Sequence, residues 1–363
     1  MSRSLSAARR RKSVPIIQAV DLFCGAGGLT AGLKKAGLVV QAGFDFEPLC
    51  QFPYEENNGS RFILKSVEDV TGGDILSCYS KGAIKVLAGC APCQPFSTYN
   101  QGRDTRGDRK WPLLDHFARL IEETMPDLVT MENVPDVTKH EVYDRFVNTL
   151  RNDAHGYFVW AGTVKCSEYG LPQNRRRHVL LASRLGPIEL VKPTHDGRPV
   201  TVRDALAGLP PIEHGVENRS DPLHAASKLS PLNFARIRAS SAGGTWREWP
   251  EELVAPCHAR DSGKTYPGVY GRMEWDAPSP TMTTLCYGFG NGRFGHPEQD
   301  RAITLREAAL LQAFPKKYKF QPKGEKLNRR VVGRLIGNAV PVRLGEVIGR
   351  SITKHVKKYG EGA

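Results

Sequence analysis

At 363 residues, with 40% hydrophobic and 25% charged residues, the chain is neither a disordered polymer nor a small disulfide-stapled module. It is long enough for one large domain and a smaller one. Its 51 Lys and Arg against 38 Asp and Glu give a formal charge of +13, which favours a polyanionic partner because each neutralised phosphate releases counterions. No apolar run has the length of a membrane span, and eight scattered cysteines fit a reducing compartment better than a disulfide framework.

Residues 1–14, which include Arg9-Arg10-Arg11-Lys12, read as a basic disordered tail. Ile16 to Phe23 then predicts a strand, Gly28 to Ala36 a helix stopped by Gly37, and Leu38 to Phe44 a second strand. Ile84 to Ala88 and Leu128 to Met131 are further strands, each ending where polar or reactive residues cluster. Phe158 to Lys165 and His178 to Ala182 predict a strand pair around a basic turn. This alternation of short apolar runs with helical stretches is the pattern of a parallel α/β sheet covered by helices, in which ligands sit at the carboxyl ends of the strands.

From about Leu185 to Asp300, Pro and Gly become frequent and helical periodicity fades, which predicts a second, loop-rich domain. Within it Trp246-Arg247-Glu248-Trp249 and Gly271-Arg272-Met273 offer Arg and Trp side chains for reading base edges, while Pro278 to Thr281 is expected to link back to the first domain. Thr304-Leu305-Arg306-Glu307 has capping-box spacing ahead of an apolar helix. Pro341 starts a last helix with Leu344, Ile348, Ile352 and Val356 on one face.

Three stretches carry chemistry. Asp21-Leu22-Phe23-Cys24-Gly25-Ala26-Gly27-Gly28 lies at a strand-to-helix turn, where glycines let backbone approach a ligand and a helix N-terminus favours an anionic group. Asp45 follows about twenty residues on, at the end of the next strand, where an acid can hold ribose hydroxyls. Alone, this is a nucleotide-like cofactor site or a structural tight turn, and it lacks the glycine spacing of the dinucleotide fingerprint. Gly89-Cys90-Ala91-Pro92-Cys93-Gln94-Pro95-Phe96-Ser97 follows another strand directly. Its two thiols fit a redox pair, half of a zinc site, or a nucleophile beside a cofactor. No second Cys-x-x-Cys follows and Cys257-His258 is too thin a set, so no metal is expected. Met131-Glu132-Asn133-Val134 brings a carboxyl group to the same rim. A redox dithiol does not need it, whereas a nucleophile attacking a heterocycle needs a proton donor for the ring nitrogen.

Taken in order, Asp21–Gly28, Pro92–Ser97, Glu132–Val134, Gln173–Arg177, Arg306–Pro315 and Gly337–Val340 resemble the DNA cytosine-5 methyltransferases of the bacterial restriction-modification type. The resemblance covers nearly the whole chain. It implies a Rossmann-like S-adenosylmethionine-dependent methyltransferase sheet with a smaller, irregular target-recognition domain. The expected division is 15–184 for the first part of the catalytic and cofactor-binding domain, 185–300 for target recognition, and 301–363 for C-terminal helices that return to the catalytic domain. The implied reaction moves a methyl group from S-adenosylmethionine to C5 of a cytosine in a specific double-stranded DNA sequence. Cys93 would add to C6 of a flipped-out base, Glu132 would engage the exocyclic amine and N3, and Arg177 would hold O2.

On the cofactor side the resemblance implies Phe23 and Phe46 flanking the adenine, the turn Gly25, Ala26, Gly27 and Gly28, and Asp45 at the ribose. Asp69 and Val70 would lie at the adenine edge, and Pro92, Asn338 and Val340 would complete the methionine pocket. This chain departs from the pattern at Asp45, where many relatives carry the longer Glu. Ser97, Arg103, Arg106 and Arg175 are expected at the DNA, the first three in a lid spanning Pro95 to Trp111. Cys90 is left as packing, and Cys24 and Cys50 as core residues. The implied partners are double-stranded DNA and a cognate restriction endonuclease, with the protein acting as a cytoplasmic monomer. The alternatives are a tRNA cytosine methyltransferase, whose typical Cys-Phe-Thr string is absent here, a non-enzymatic DNA-binding relative, disfavoured because Cys93, Glu132 and Arg177 are all intact, and a Cys-x-x-Cys redox protein.

Overall fold

Five parallel strands make the centre of a sheet whose two faces are covered by helices. They are β1 (Ile17–Leu22), β2 (Val39–Asp45), β3 (Arg61–Leu64), β4 (Ile84–Gly89) and β5 (Leu128–Asn133), and all six residues of β1 and of β5 are buried. The computed structural model describes residues 16–92 and 112–360. The predicted tail, Cys93, Ser97, Arg103, Arg106 and the whole of the expected lid therefore lie outside the described residues.

β6 (Phe158–Lys165) and β7 (Arg176–Ser183) complete a seven-stranded sheet of order β3-β2-β1-β4-β5-β7-β6. β1 to β5 pair in parallel, and β7 runs antiparallel to both β5 and β6. The helices are α1 (Gly28–Lys35), α2 (Gln51–Asn58), α3 (Gly72–Leu76), α4 (Pro112–Thr124), α5 (Glu141–Arg151), α6 (Val202–Leu206), α7 (Pro231–Arg238), α8 (Asp261–Lys264), α9 (Leu305–Leu311), α10 (Arg329–Asn338) and α11 (Val342–Tyr359).

Successive strand residues alternate between the two faces. Val20, Leu22, Phe44, Leu87, Val129 and Met131 pack with Leu114 and Phe117 of α4 and Phe146 of α5. The intervening residues Ala19, Val86, Ala88, Leu128 and Val179 pack with Leu29 and Leu33 of α1 and with Leu344, Ile348 and Ile352 of α11. The helix predicted from Pro341 thus closes the sheet with the expected face inward, Val356 included. α9 is capped by the expected Thr304–Glu307 box, with Thr304 N donating to Glu307 Oε2 (2.7 Å) and Glu307 N to Thr304 Oγ1 (3.2 Å).

Residues 184–304 add no strand to the sheet. Here the structure corrects the expected exposure of two segments. Trp246 and Trp249 are buried against Tyr270 and a stacked His258. Arg272 is buried, donating to the carbonyls of Ile237, Ser240, His296 and Gln299 and pairing with Asp300. A stretch poor in aliphatic residues makes its core from rings and from a guanidinium whose donors satisfy loop carbonyls. Ser279 ties the stretch to the sheet, as expected of Pro278–Thr281: its amide donates to Pro172 O (3.0 Å) and its carbonyl accepts from Asn174 N (2.7 Å).

α1 and α11 approach closely because Gly32 faces Gly345, and a Cβ at position 32 meets the backbone of Val342, Gly345 and Glu346. Gly32→Ala should therefore lower stability by about 1–3 kcal/mol, read as a fall in Tm. Gly73→Ala in α3, where the nearest atom to an added Cβ is Thr71 Oγ1 at 3.7 Å, should be neutral or raise stability by about 0.5–1 kcal/mol.

Candidate active site

The strand order reverses between β1 and β4, and in open α/β sheets such a switch leaves a crevice beyond the carboxyl ends of the strands. A cavity of about 310 Å³ lies there, within the size range of small-molecule sites. Three strand ends supply its wall: Phe23 to Ala26 after β1, Asp45 to Glu47 after β2, and Cys90 to Pro92 after β4. Arg334, Leu335 and Asn338 of α10, with Ala339 and Val340, close it from the C-terminal side.

Phe23 turns into this cavity through a left-handed backbone, φ 56, a conformation that costs a bulky residue free energy and is concentrated at functional sites. Asp45 braces the turn: Oδ2 accepts from Gly25 N (2.9 Å) and Oδ1 from Glu47 N (3.0 Å). Burial raises its pKa, opposed by those amides. Asp21 lies on the wall as well, with Oδ2 accepting from Thr30 Oγ1 (2.7 Å) and Oδ1 buried without a partner. Burial pushes its pKa up to about 7. Glu47 and Arg334 pair across the mouth at 2.5 Å, beside an exposed Phe46.

Of the residues expected at the cofactor, Phe23, Gly25, Ala26, Asp45, Phe46, Pro92, Asn338 and Val340 line this cavity. Gly27 and Gly28 do not. A Cβ on Gly27 meets Asn58 and one on Gly28 meets Val340 O, so these two glycines let α1 pack. Asp69 is exposed and Val70 is buried in the core, and neither lines the cavity. Cys24 and Cys50, expected in the core, are buried and also line it.

Beside the cavity, on the α1 and α11 face of the sheet, sits a buried ion pair. Glu132, with a side chain 3% exposed, is the penultimate residue of β5, and Arg177, at 12%, is the second residue of β7. Arg177 Nε is 2.9 Å from Glu132 Oε1, a charge contact whose angles fall short of a hydrogen bond. Glu132 Oε2 accepts from the thiol of Cys90 at 2.9 Å. Cys90, expected to be packing, therefore touches the carboxylate that the sequence singles out. Arg175 differs from its expected place at the DNA: it is buried, with Nη1 donating to Met282 O (3.1 Å). The side chains that sequence reasoning missed are Cys90, Glu47 and Arg334. For Cys90 a signal exists, since positions 84, 86, 88 and 90 continue the inward alternation of β4. The Glu47–Arg334 contact joins residues far apart in the chain and leaves no local signal.

Comparison with known proteins gives a consistent picture. A family model described as C-5 cytosine-specific DNA methylase matches residues 17–354. The chain is 50% identical over 347 residues to the Type II methylase M.HgiDII of Herpetosiphon aurantiacus, covering 94% of this chain and 96% of that one. It is 30% identical to the Type II methyltransferase M.Eco47II of Escherichia coli, covering 94% and 80%. Its fold matches the crystal structure of a DNA modification methyltransferase encoded within an E. coli prophage, with a TM-score of 0.71 at 22% identity, covering 94% of this chain and 99% of that one.

The elevated Asp21 pKa has a consequence for stability. A carboxyl group that holds its proton more tightly folded than unfolded contributes stability that is fully present below its unfolded value of 3.8 and is lost as pH rises through about 7. The stability difference between Asp21→Asn and the ligand-free wild type should therefore shift in favour of the variant between pH 4 and pH 8. Urea melts across that range measure it, and a difference that stays constant with pH would contradict the assignment.

Proposed function

The chain belongs to the C-5 cytosine-specific DNA methylase family, and from that premise we propose that it transfers a methyl group from S-adenosylmethionine to C5 of cytosine within a specific duplex sequence, by way of a covalent bond from Cys93 to C6. It is a methyltransferase of the Type II restriction-modification class. We assign it the modification role beside a cognate endonuclease, working as a cytoplasmic monomer. The observation that carries the reading is the buried Glu132–Arg177 pair beside the cavity, with Pro92, the residue before Cys93, in the cavity wall.

The cavity suits S-adenosylmethionine. Phe23 and Phe46, on its wall, would offer aromatic faces to the adenine, and Asp45 would hold the ribose. The partnerless Asp21 Oδ1 gives a buried acceptor for a donor group or cation. Asn338 and Val340 close the far end. Bound there, the cofactor supplies an electrophilic methyl group.

The rest of the chemistry falls to the chain. Cytosine C5 is a poor nucleophile. Addition of the Cys93 thiolate to C6 sends an electron pair into the ring and makes C5 reactive, splitting one hard step into two easier ones. Glu132 in its acid form accepts a hydrogen bond from the exocyclic amine through one oxygen and gives its proton to N3 from the other as negative charge develops, and takes that proton back when the thiolate leaves. Arg177, held beside it, donates to O2. C5 then takes the methyl group, loses its proton to a base, and the electron pair of that C–H bond expels the thiolate.

The target carbon is inside the duplex, so the base must be flipped out. We assign Ser97, Arg103 and Arg106 to that step from sequence alone, and the recognition of flanking bases to the region 185–300.

The test is a trap. Fluorine at C5 blocks the final elimination, so the wild type should form a denaturant-resistant adduct with duplex DNA containing 5-fluorocytosine at its target. Cys93→Ala should form none and methylate nothing while still binding S-adenosylmethionine. A Cys93→Ala protein that methylates normally would overturn the mechanism.

A further inference from the structure

Glu132 is not itself a lining residue of the cofactor cavity, whereas Cys90 is. Cys90 therefore touches both, the cavity as a wall residue and the carboxylate through its thiol. This follows from register: β4 pairs β5 in parallel with Gly89 opposite Met131, so the next residue of each strand, Cys90 and Glu132, stand side by side. The same alternation turns Ala88 and Leu128 inward on that face. On the other side β7 runs antiparallel to β5, with Val179 opposite Glu132, and Arg177 is two residues away on the same face.

A carboxylate this buried is costly unless both oxygens have partners. Arg177 serves Oε1 and Cys90 serves Oε2. Two contacts from two neighbouring strands fix the plane of the carboxylate as well as its charge. For a group that must meet the amine and N3 of one base together, that plane decides the rate, since displacements near 1 Å can cost on the order of a hundredfold.

We propose that Cys90 is a positioning residue, holding the Glu132 carboxylate by a thiol hydrogen bond in the orientation that receives the cytosine. The proposal rests on the reading that Glu132 engages the base. The thiol forms no bond to substrate and changes no oxidation state. Its neighbour in the chain motif, Cys93, keeps the covalent role.

Two substitutions separate this from packing. Cys90→Ala removes the donor, and Cys90→Ser keeps one of similar size. The alanine enzyme should lose roughly ten- to a hundredfold in single-turnover methylation, the range for a missing hydrogen bond to a charged group. Its affinity for S-adenosylhomocysteine by calorimetry should fall far less than its rate, since the cavity wall loses one sulfur atom, and its Tm should drop by only a few degrees, the cost of one buried carboxylate oxygen left without its donor. The serine enzyme should recover to within about threefold.

In a Glu132→Gln background, Cys90→Ala should add less than about a twofold loss, because residues that act through one another are not additive. Independent, multiplicative losses in the double variant would overturn the proposal. So would equal losses for alanine and serine accompanied by weakened cofactor binding. An inactive Glu132→Gln with a fully active Cys90→Ala would remove the proposal alone. A fully active Glu132→Gln would remove the reading of Glu132 beneath it.

Discussion

A single buried carboxylate organises this site. Glu132 lies next to the end of a strand in which every residue is buried, and a charge there survives only with an opposite charge and a hydrogen-bond donor at hand. Both arrive from adjacent strands: Arg177 from the antiparallel β7 and Cys90 from the end of the parallel β4. Neither position is free to drift, because a slip of one residue in either strand would turn its side chain to the opposite face. The antiparallel β7 has a functional consequence here. It brings the start of a strand, and with it Arg177, to the rim where the parallel strands end. The cavity beside the pair follows from the reversal of strand order between β1 and β4, so cofactor space and the candidate base-binding pair share one edge of one sheet.

Part of the basic composition is structural. Arg175, Arg236, Arg272, Arg301 and Arg306 are all buried, and they hold carbonyls or carboxylates together. Arg301 makes a two-pronged contact with Glu307 at 2.8 Å on each prong, beneath the cap of α9. Arg236 donates to Leu253 O and lies over the rings of Trp249 and Tyr270. At the centre of that ring cluster, both nitrogens of His258 lack hydrogen-bond partners and burial lowers its pKa, so the ring packs as a neutral aromatic. In a stretch with no strand in the sheet, guanidinium donors and stacked rings take over the work that ladder hydrogen bonds and aliphatic side chains do elsewhere. Arg238 and Arg247, by contrast, stay at the surface.

Legibility in the sequence followed the same physics. β1, β2, β4, β5, β6 and β7 were readable because strands buried on one or both faces leave apolar runs, and α9 and α11 because a cap or a starting proline marks them. β3 was not, since four residues with two of them exposed, Arg61 and Leu64, carry no period. The glycine turn was readable as a turn, but which glycines face the ligand was not. Gly25 and Gly27 both have positive φ, yet only Gly25 lines the cavity, because the partner of Gly27 is Asn58 from another helix. Arginine was the least legible residue. Whether Arg175 and Arg272 face solvent or bind carbonyls depends on chain segments up to a hundred residues away, and no local pattern encodes it. Cys90 packs against the core as expected, but its contact with Glu132 was not legible, because the two are neighbours in the sheet and remote in the sequence.

The account stands or falls on the atom that is methylated. The direct measurement is to incubate the protein with duplex DNA and S-adenosylmethionine, digest the DNA to nucleosides, and resolve the products by mass spectrometry against standards. Methylation at C5 predicts 5-methyl-2′-deoxycytidine as the sole new nucleoside. Methylation on an exocyclic nitrogen, giving N4-methyldeoxycytidine or N6-methyldeoxyadenosine, would contradict the role given to Glu132 and Arg177, because that chemistry needs neither addition at C6 nor a proton at N3.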